Sequence, residues 1–305
     1  MSYEYNYNPA DKSLTVSHLK DFDIKQTIEC GQCFRWEKEN DGSYTIQAFS
    51  KTINVKQTNE YVEGASVTLV FSGTSLSDFE NLWISYFDLE RDYGEIKNKL
   101  LKNDKIIEDA IQFGAGMRLL NQDEWETLVS FLISQNSNIP RIKKAIKAVC
   151  ENFGEPYTAW NGKTYYTFPE AKQIHFCENS EEKIEACRLG YRTSYIYETA
   201  RVISKDQAKR LYNLKNESFE EAYEYLLKLK GVGPKVANCV MLFSMEKYES
   251  FPIDVWVKRV MSKLYMLDEK DLKGIEKFGK DKFGENGGFA QQYLFYYIRE
   301  NNILI

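Results

Sequence analysis

The amino-acid sequence predicts an α+β fold, in which an N-terminal antiparallel β-sheet domain (residues 1–115) precedes an α-helical domain (residues 116–305). Residues 12–73 alternate apolar and polar side chains and are rich in β-branched and aromatic residues, a pattern typical of strands. Turn signals such as Asn40–Asp41–Gly42 interrupt this pattern. After Ser75 the apolar residues recur at helical spacing. Because neither an internal repeat nor a low-complexity linker is evident, we expect the two parts to pack together.

The composition is that of a globular protein with a large core. Of the 305 residues, 43% are hydrophobic and 14% aromatic, which excludes the disordered and fibrous classes. The apolar runs fall far short of the roughly 18 residues that a membrane helix needs. The first residues also lack the charged and then apolar order of a signal peptide. We therefore expect no contact with a membrane and a location in the cytoplasm, at the nucleoid, or in the nucleus if the source is a eukaryote.

The six cysteines are sparse and should be reduced inside a cell. Cys30 and Cys33 form one CxxC motif, which could be half of a zinc site or a pair of buried thiols. The chain offers no second CxxC motif and only two histidines, so the sequence favours buried thiols and predicts no metal site. The absence of a four-cysteine cluster near the C-terminus also argues against an iron–sulfur cluster.

The charge distribution is more informative than the net charge of −5. Residues 131–150 contain four basic side chains and no acid, and residues 225–245 contain three basic side chains and no acid. These stretches could form a positive surface for nucleic acid, although they could equally be the solvated helix faces of an acidic protein.

A helix-hairpin-helix is predicted over residues 222–245. Gly231 and Gly233 flank one apolar residue and permit a tight turn, and Pro234 suits the first position of the helix that follows. Backbone N–H groups exposed at such a turn can bind a DNA phosphate. A plain αα-hairpin has the same pattern, so the turn alone does not decide between the two.

Lys235 and Asp254 are expected to lie close together. Lys235 begins a helix of about a dozen residues, which rises about 18 Å. The seven residues from Lys247 to Ile253, if extended, span a similar distance and bring Asp254 back to the level of Lys235. Taken alone, Asp254 could be only a helix N-cap and Lys235 only a solvated side chain.

At this point the sequence resembles the 8-oxoguanine DNA glycosylases of the helix-hairpin-helix-GPD (endonuclease III-like) superfamily. The resemblance runs in the same order over most of the chain. It consists of ECGQCFRW (29–36), MRLLNQDEWETLVSFLISQNSNIPRI (117–142), LGYRTSYI (189–196), GVGPKVANC (231–239), FPIDVW (251–256) and GFAQQYLF (288–295). It implies a bifunctional glycosylase and abasic-site lyase that flips 8-oxoguanine out of duplex DNA during base excision repair.

The resemblance also implies the chemistry. Lys235 would attack the anomeric carbon, displace the damaged base and form a Schiff base that proceeds to β-elimination of the strand. Asp254 would stabilise the positive charge that develops on the sugar. No cofactor is implied for this chemistry.

The family resemblance assigns the pocket for the damaged base to four further residues. The carbonyl of Gly31 would accept the hydrogen bond from N7 that 8-oxoguanine offers and guanine does not. Gln291 and Phe295 lie four apart and share a helix face, where they would bond the base edge and stack on its plane. Cys239, one turn after Lys235, would form the opposite wall. The alternatives are a strand glycine, an aromatic residue of the core and a buried thiol.

Other matches concern the partner base and the DNA backbone. The resemblance implies that Asn136 fills the gap left by the flipped base, Tyr191 wedges into the stack, and Arg141 and Arg192 read the estranged cytosine. Arginines at such positions could instead contact only phosphate. The sequence departs from the family pattern at two positions, because Trp256 replaces a phosphate-binding His and Cys33 replaces a frequent Ser.

Two rival functions remain at this level. A related helix-hairpin-helix glycosylase for alkylated bases is disfavoured by the ECGQCFRW and GFAQQYLF matches. A non-catalytic DNA-binding module is disfavoured by the presence of both Lys235 and Asp254. The partner expected is double-stranded DNA containing 8-oxoguanine, bound by a monomer.

Overall fold

The computed structural model describes residues 3–101 and 104–301. Within residues 3–101, six strands form one antiparallel sheet in the order β1-β2-β6-β5-β4-β3, which confirms the predicted sheet. The strands are β1 (Glu4–Asn8), β2 (Ser13–Lys20), β3 (Trp36–Lys38), β4 (Tyr44–Ala48), β5 (Lys51–Gln57) and β6 (Ser66–Ser72). Side chains that alternate along β2 and β6 are buried, so the sequence period of two does mark the face that packs on the core.

Residues 31–35 of the segment GQCFRW, which was predicted as a strand, form a turn after helix α1 (Ile24–Glu29), and only Trp36 lies in a strand, as the first residue of β3. Asp23 caps this helix by accepting a hydrogen bond from the backbone of Gln26. Gly31 then has φ of +89°, which is incompatible with a strand. The buried Gln32 side chain hydrogen-bonds to three backbone groups of residues 27, 118 and 120, which replace the contacts of a sheet ladder.

The remainder of the described chain is mainly helical, as predicted. The helices after α1 are α2 (Leu76–Asp78), α3 (Ile84–Tyr86), α4 (Tyr93–Leu100), α5 (Lys105–Phe113), α6 (Glu124–Ser134), α7 (Ile139–Phe153), α8 (Ala171–His175), α9 (Ser180–Ala186), α10 (Arg192–Ile203), α11 (Lys209–Asn213), α12 (Phe219–Leu227), α13 (Pro234–Ser244), α14 (Val255–Lys263), α15 (Leu272–Phe283) and α16 (Gly287–Asn301). None of the helices in the described ranges is both long and apolar enough to span a membrane.

A short hairpin within the helical part was not predicted. Strands β7 (Pro156–Thr158) and β8 (Thr164–Tyr166) pair antiparallel. The dipeptide Asn161–Gly162, with Gly162 at a φ of +76°, lies in the turn between them and is a recognised hairpin signal. The error came from extending a helical interpretation through a segment that has turn chemistry of its own.

The sheet and the helical body pack against each other. Arg118 is fully buried, and its guanidinium donates to the carbonyl oxygens of Lys20 and Asp21 on one side and of Asp88 and Arg91 on the other. One buried cluster is formed by the sheet, by residues of and next to α1, and by residues 79–89 and 120. Helices α4 and α5 contribute to the other cluster, which includes α16. The helical core therefore includes α4 and α5, which precede residue 115. The domain boundary at residue 115 stays a prediction.

Candidate active site and DNA-facing cleft

The helix-hairpin-helix consists of α12, the turn around Gly231 and α13. Gly231 has φ of +82°, and a methyl group on its Cα would stand 2.3 Å from the ring of Tyr195, so this position requires glycine. The backbone N–H of Val232 donates to the carbonyl of Leu229, and Gly233 is the N-cap of α13. The Gln135 side chain donates to the Gly231 carbonyl at 3.1 Å and thereby joins the hairpin to the loop after α6.

Lys235 and Asp254 line the same cavity, as the length argument predicted. Asp254 is the N-cap of α14, and its Oδ1 accepts a hydrogen bond of 2.8 Å from the backbone of Val257. The Lys235 ammonium lies 4.7 Å from the centre of the Phe131 ring and 3.4 Å from Ser134 Oγ. Burial raises the pKa of Asp254, while the Val257 hydrogen bond and the positive charge of Lys235 oppose that rise.

The four residues predicted to bind the base line this cavity as well. It has a volume of about 50 Å³, and we call it the base pocket. Its predicted members come from the α1–β3 turn, α13, the start of α14 and α16. They are Gly31, Lys235, Cys239, Asp254, Gln291 and Phe295. Burial raises the pKa of Cys239 to about 11, so its thiol is neutral at physiological pH.

The structure adds four members that the sequence did not single out: Phe131, Phe243, Pro252 and Gln292. Gln292 donates to the carbonyl of Cys30 at 3.1 Å and so fixes the turn that carries Gly31. The neighbouring Gln291 is also buried, and its Oε1 has no hydrogen-bond partner among the described residues. Two adjacent glutamines on one helix have the same sequence signal, so only the packing shows that Gln292 holds the turn and that Gln291 has an unpartnered amide oxygen.

The residues predicted for the partner base meet at a second, larger cavity of about 660 Å³, which we call the partner-base cleft. Asn136, Arg141 and Arg192 line it, and Asn136 has a left-handed φ of +49°. Arg192 donates to the carbonyls of Gln135 and Asn136, and its guanidinium lies 4.6 Å from the Tyr191 ring centre. Tyr191 does not line the cleft itself, but it is exposed beside it.

Arg188 and Lys144 also line the partner-base cleft. None of the lining residues, all within the described part of the chain, is an aspartate or a glutamate. The acid-free stretch 131–150 thus contributes Arg141 and Lys144 to the positive surface of the cleft. Lys143 does not line the cleft, and its ammonium lies 3.4 Å from the ring centre of Trp36. Arg188 has a left-handed φ of +55° and had no sequence signal.

The sequence also singled out Cys30, Cys33 and Trp256. Cys30 and Cys33 are both buried free thiols, which agrees with the favoured alternative. Residues 3–101 and 104–301 contain no cluster of three metal-ligating side chains. Trp256, where the family pattern has His, is partly buried, and the Arg259 guanidinium lies 5.3 Å from its ring centre.

Comparisons with known proteins identify the family of this chain. The model of the 8-oxoguanine DNA glycosylase N-terminal domain matches residues 14–128, and that of the HhH-GPD superfamily base excision DNA repair protein matches residues 129–283. The probable N-glycosylase/DNA lyase of Methanothermobacter thermautotrophicus is 27% identical over 308 residues, which cover 93% of this chain and 96% of that protein. The N-glycosylase/DNA lyase of Saccharomyces cerevisiae is 30% identical over 283 residues, or 88% and 73% of the two chains.

A solved structure supports the same assignment. The 8-oxoguanine glycosylase/lyase of Clostridium acetobutylicum, in complex with double-stranded DNA containing cytosine opposite 8-oxoguanine, superposes with a TM-score of 0.88. The two sequences are 42% identical, and the match covers 99% of each chain. This chain therefore belongs to the 8-oxoguanine DNA glycosylase family of the HhH-GPD superfamily and is a DNA N-glycosylase with abasic-site lyase activity.

Proposed function

We propose that this glycosylase/lyase excises 8-oxoguanine from duplex DNA, with Lys235 as the nucleophile and Asp254 as its electrostatic partner. The observation that carries the proposal is the convergence of six predicted residues on one cavity, although they come from positions as distant as 31 and 295. Lys235 and Asp254 line this cavity together with Gln291 and Phe295. A base seated against the latter pair would bring its glycosidic bond toward the former.

The chemistry follows from the two charged side chains. The Lys235 amine forms a bond to the anomeric carbon, the bond from that carbon to N9 breaks, and the base leaves with a proton. The sugar ring then opens to a Schiff base on Lys235, and loss of a proton from C2′ expels the 3′ phosphate. Asp254 stabilises the cationic sugar as the base departs. Closure of DNA over the site removes water and favours the neutral amine that attack requires.

Discrimination against guanine rests on a hydrogen-bond acceptor, the carbonyl of Gly31. The Gly31 carbonyl accepts the hydrogen bond from the N7–H of 8-oxoguanine, whereas it would face the lone pair of guanine N7 unpaired. The buried, unpartnered Oε1 of Gln291 provides a further acceptor for the base edge. Phe295 stacks on the plane of the base. The backbone N–H groups around Gly231 and Gly233 hold a phosphate of the lesion strand.

Opposite the lesion, the partner-base cleft favours cytosine. Arg141 and Arg192 present only donors, and the pairing edge of cytosine supplies two acceptors. Adenine supplies one acceptor and one amino donor, so one arginine would face a donor instead of an acceptor. Asn136 fills the vacated space and Tyr191 wedges the stack, as an exposed aromatic residue beside the cleft can do. Since the pocket and the cleft belong to one chain, we expect a monomer that acts wherever the genome resides.

The test is a panel of duplexes that carry 8-oxoguanine, 3-methyladenine, uracil or undamaged guanine, each opposite cytosine. Single-turnover release of base and borohydride trapping are measured on all four. We expect release and a covalent adduct with 8-oxoguanine, and no comparable rate with the others. Faster release of the alkylated base would refute the substrate assignment, and release without a trapped adduct would refute the Schiff-base route.

A further inference from the structure

The last turn of α16 carries a cation beside the base pocket that the proposed mechanism does not use. Arg299 follows Phe295 by four residues, so both side chains lie on one helix face. Its side chain is only 15% exposed, and its guanidinium lies 5.3 Å from the centre of the Phe295 ring. Nη2 donates to the carbonyl of Glu29 at 2.6 Å, at the start of the turn that carries Gly31.

One nitrogen of this guanidinium has no acceptor among the described residues. Arg299 Nη1 is buried and has no hydrogen-bond partner among the described residues. It stands 2.9 Å from the position that a methyl group on Gly31 would occupy. The other two nitrogens are engaged by the Glu29 carbonyl and the carboxylate of Glu300. Because a buried donor without an acceptor is unfavourable, its position next to a ligand pocket points to an acceptor on the ligand.

The chemistry of the lesion supplies such an acceptor. In 8-oxoguanine the N7–H donor and the carbonyl oxygen at position 8 are adjacent on one edge. In guanine the same edge has a lone pair at N7 and a C–H at position 8. The carbonyl of Gly31 and Arg299 Nη1, which lies 2.9 Å from the methyl position on Gly31, would supply an acceptor and a donor for these two atoms. A cationic donor also makes a stronger hydrogen bond to a carbonyl oxygen than a neutral one does.

We propose that Arg299 is a specificity-determining residue, which donates from Nη1 to the carbonyl oxygen at position 8 of the flipped base. This inference rests on the proposed excision of 8-oxoguanine. The Gly31 carbonyl alone recognises the proton on N7. Together, this carbonyl and Arg299 Nη1 recognise both atoms that oxidation adds, the N7 proton and the oxygen at position 8. The enzyme thus reads the oxidised edge of the base at two adjacent points.

The pocket must widen before this contact forms. Its volume of about 50 Å³ is well below the roughly 300 Å³ at which ligand pockets begin, and Phe295 Cε1 stands 3.5 Å from the methyl position on Gly31. A base that stacks on Phe295 therefore separates this ring from the Gly31 turn. Arg299 contacts both walls, so it remains at the edge of the widened pocket. The nearby Cys30 thiol does not neutralise it, because burial raises the pKa of that thiol.

The first experiment compares Arg299→Met and Arg299→Lys with the wild type. The matched control is Arg201→Met. It removes an exposed arginine of α10 that is paired with Glu198 of the same helix. Binding is measured on duplexes that carry 8-oxoguanine or a tetrahydrofuran abasic site opposite cytosine. We expect Arg299→Met to weaken binding to 8-oxoguanine by about tenfold to a hundredfold and to leave binding to the abasic analogue within about twofold. Arg299→Lys should recover part of the loss, and the control should match the wild type.

A second substrate identifies the atom. 8-Oxoadenine keeps N7–H and the carbonyl oxygen at position 8 but has an amino group at position 6. The Arg299→Met penalty should persist on this base if Nη1 bonds the oxygen at position 8. A penalty confined to 8-oxoguanine would assign the contact to position 6 and overturn the inference, as would equal losses on the abasic analogue.

The two proposals fail in different ways. Wild-type protein that does not excise 8-oxoguanine would refute the proposed function. Wild-type excision together with undiminished binding by Arg299→Met would refute only the role of Arg299. If Arg299→Met does not fold, Arg299→Lys carries the same comparison, because a shorter single-point donor should still weaken 8-oxoguanine binding and spare the abasic analogue.

Discussion

The base pocket and the partner-base cleft differ in size, charge and construction. The base pocket is a cavity of about 50 Å³ with one lysine and one aspartate among mostly apolar and amide side chains. The cleft is a cavity of about 660 Å³ lined by four cationic side chains: Arg141, Lys144, Arg188 and Arg192. The pocket includes elements from both ends of the chain. The cleft is formed by α7, by the loops that precede α7 and α10, and by residues next to these loops.

This difference separates two kinds of recognition. A small, dry pocket selects a ligand by the cost of leaving polar atoms unpaired, so its residues should govern whether the base is accepted at all. An open cationic cleft contacts groups that stay partly hydrated, so its residues should govern affinity and the choice of partner base. Substitutions in the pocket should therefore change excision opposite every base, and those in the cleft should change duplex affinity or the dependence of excision on the partner base.

The largest effect is expected for Lys235→Gln. Loss of the amine should abolish base release and the borohydride-trapped adduct, while duplex binding persists because phosphate contacts lie elsewhere. Single-turnover gels and binding isotherms measure the two properties. Lys277→Gln, on the exposed face of α15, is a matched control and should behave as the wild type. An adduct of normal yield in Lys235→Gln would exclude this residue as the nucleophile.

Asp254→Asn should slow excision by about a hundredfold to a thousandfold. Asn also caps helices, so thermal unfolding of the variant should show that α14 is retained. Because burial raises the pKa of Asp254, the folded protein holds this proton more tightly, and ionisation opposes folding as pH rises through the shifted pKa. The variant should then be no less stable than the wild type at neutral pH. An excision rate near that of the wild type would leave Asp254 with a capping role alone.

The same shift predicts a pH profile. The wild-type rate should fall as pH drops through the raised pKa of Asp254, at a pH above the ordinary range near 3.8 for aspartate. In Asp254→Asn this acid limb should be absent, because no carboxylate remains to be protonated. A limb of unchanged position in the variant would assign it to another group.

Phe295→Ala should weaken binding to 8-oxoguanine by about 1–3 kcal/mol, the usual contribution of one base–aromatic stack. The loss should be equal opposite cytosine and adenine, because the ring belongs to the base pocket. Circular dichroism provides the control. An unfolded variant would show that this ring is a core residue. A loss that depends on the partner base would contradict the separation of base recognition from partner-base recognition.

In the cleft, the wild type should excise 8-oxoguanine opposite cytosine about tenfold to a hundredfold faster than opposite adenine. Arg141→Met and Arg192→Met should reduce this preference and retain a trapped adduct of normal yield. Single-turnover rates opposite each base decide the matter. Equal wild-type rates opposite cytosine and adenine would contradict the prediction, and an unaltered preference in both variants would mean that the arginines bind only phosphate.

The smallest effect is expected for Arg188→Met. Duplex affinity should fall steeply with salt despite the net charge of −5, because the cleft concentrates positive charge. Replacing Arg188 should reduce the slope of that dependence by about one, without altering the preference for cytosine. Titrations at several salt concentrations measure it, and a flat wild-type response would remove the argument from local charge.

Much of the fold and the core of the site follow from local sequence patterns. The sheet of residues 12–73 and the helical body were evident from their periods of two and 3.6. Lys235 and Asp254 could be placed together because only a helix and an extended return connect them. Gln291 and Phe295 share a face because a helix repeats every 3.6 residues. In each case the distance in space is fixed by a short, regular stretch of chain.

The remainder depends on contacts between segments that are distant in the chain. Gly31 lies in a turn rather than a strand because Gln32 finds its partners at residues 27, 118 and 120, and Gln292 binds the neighbouring carbonyl. Arg188 and Arg299 have no local signature, since an isolated arginine on a helix or loop usually faces solvent. Arg299 lies beside the turn that carries Gly31 only because α16 packs against a segment some 270 residues earlier. The chain's local periods determine its elements and bring Lys235 near Asp254, but the packing of distant segments determines which other residues line the base pocket.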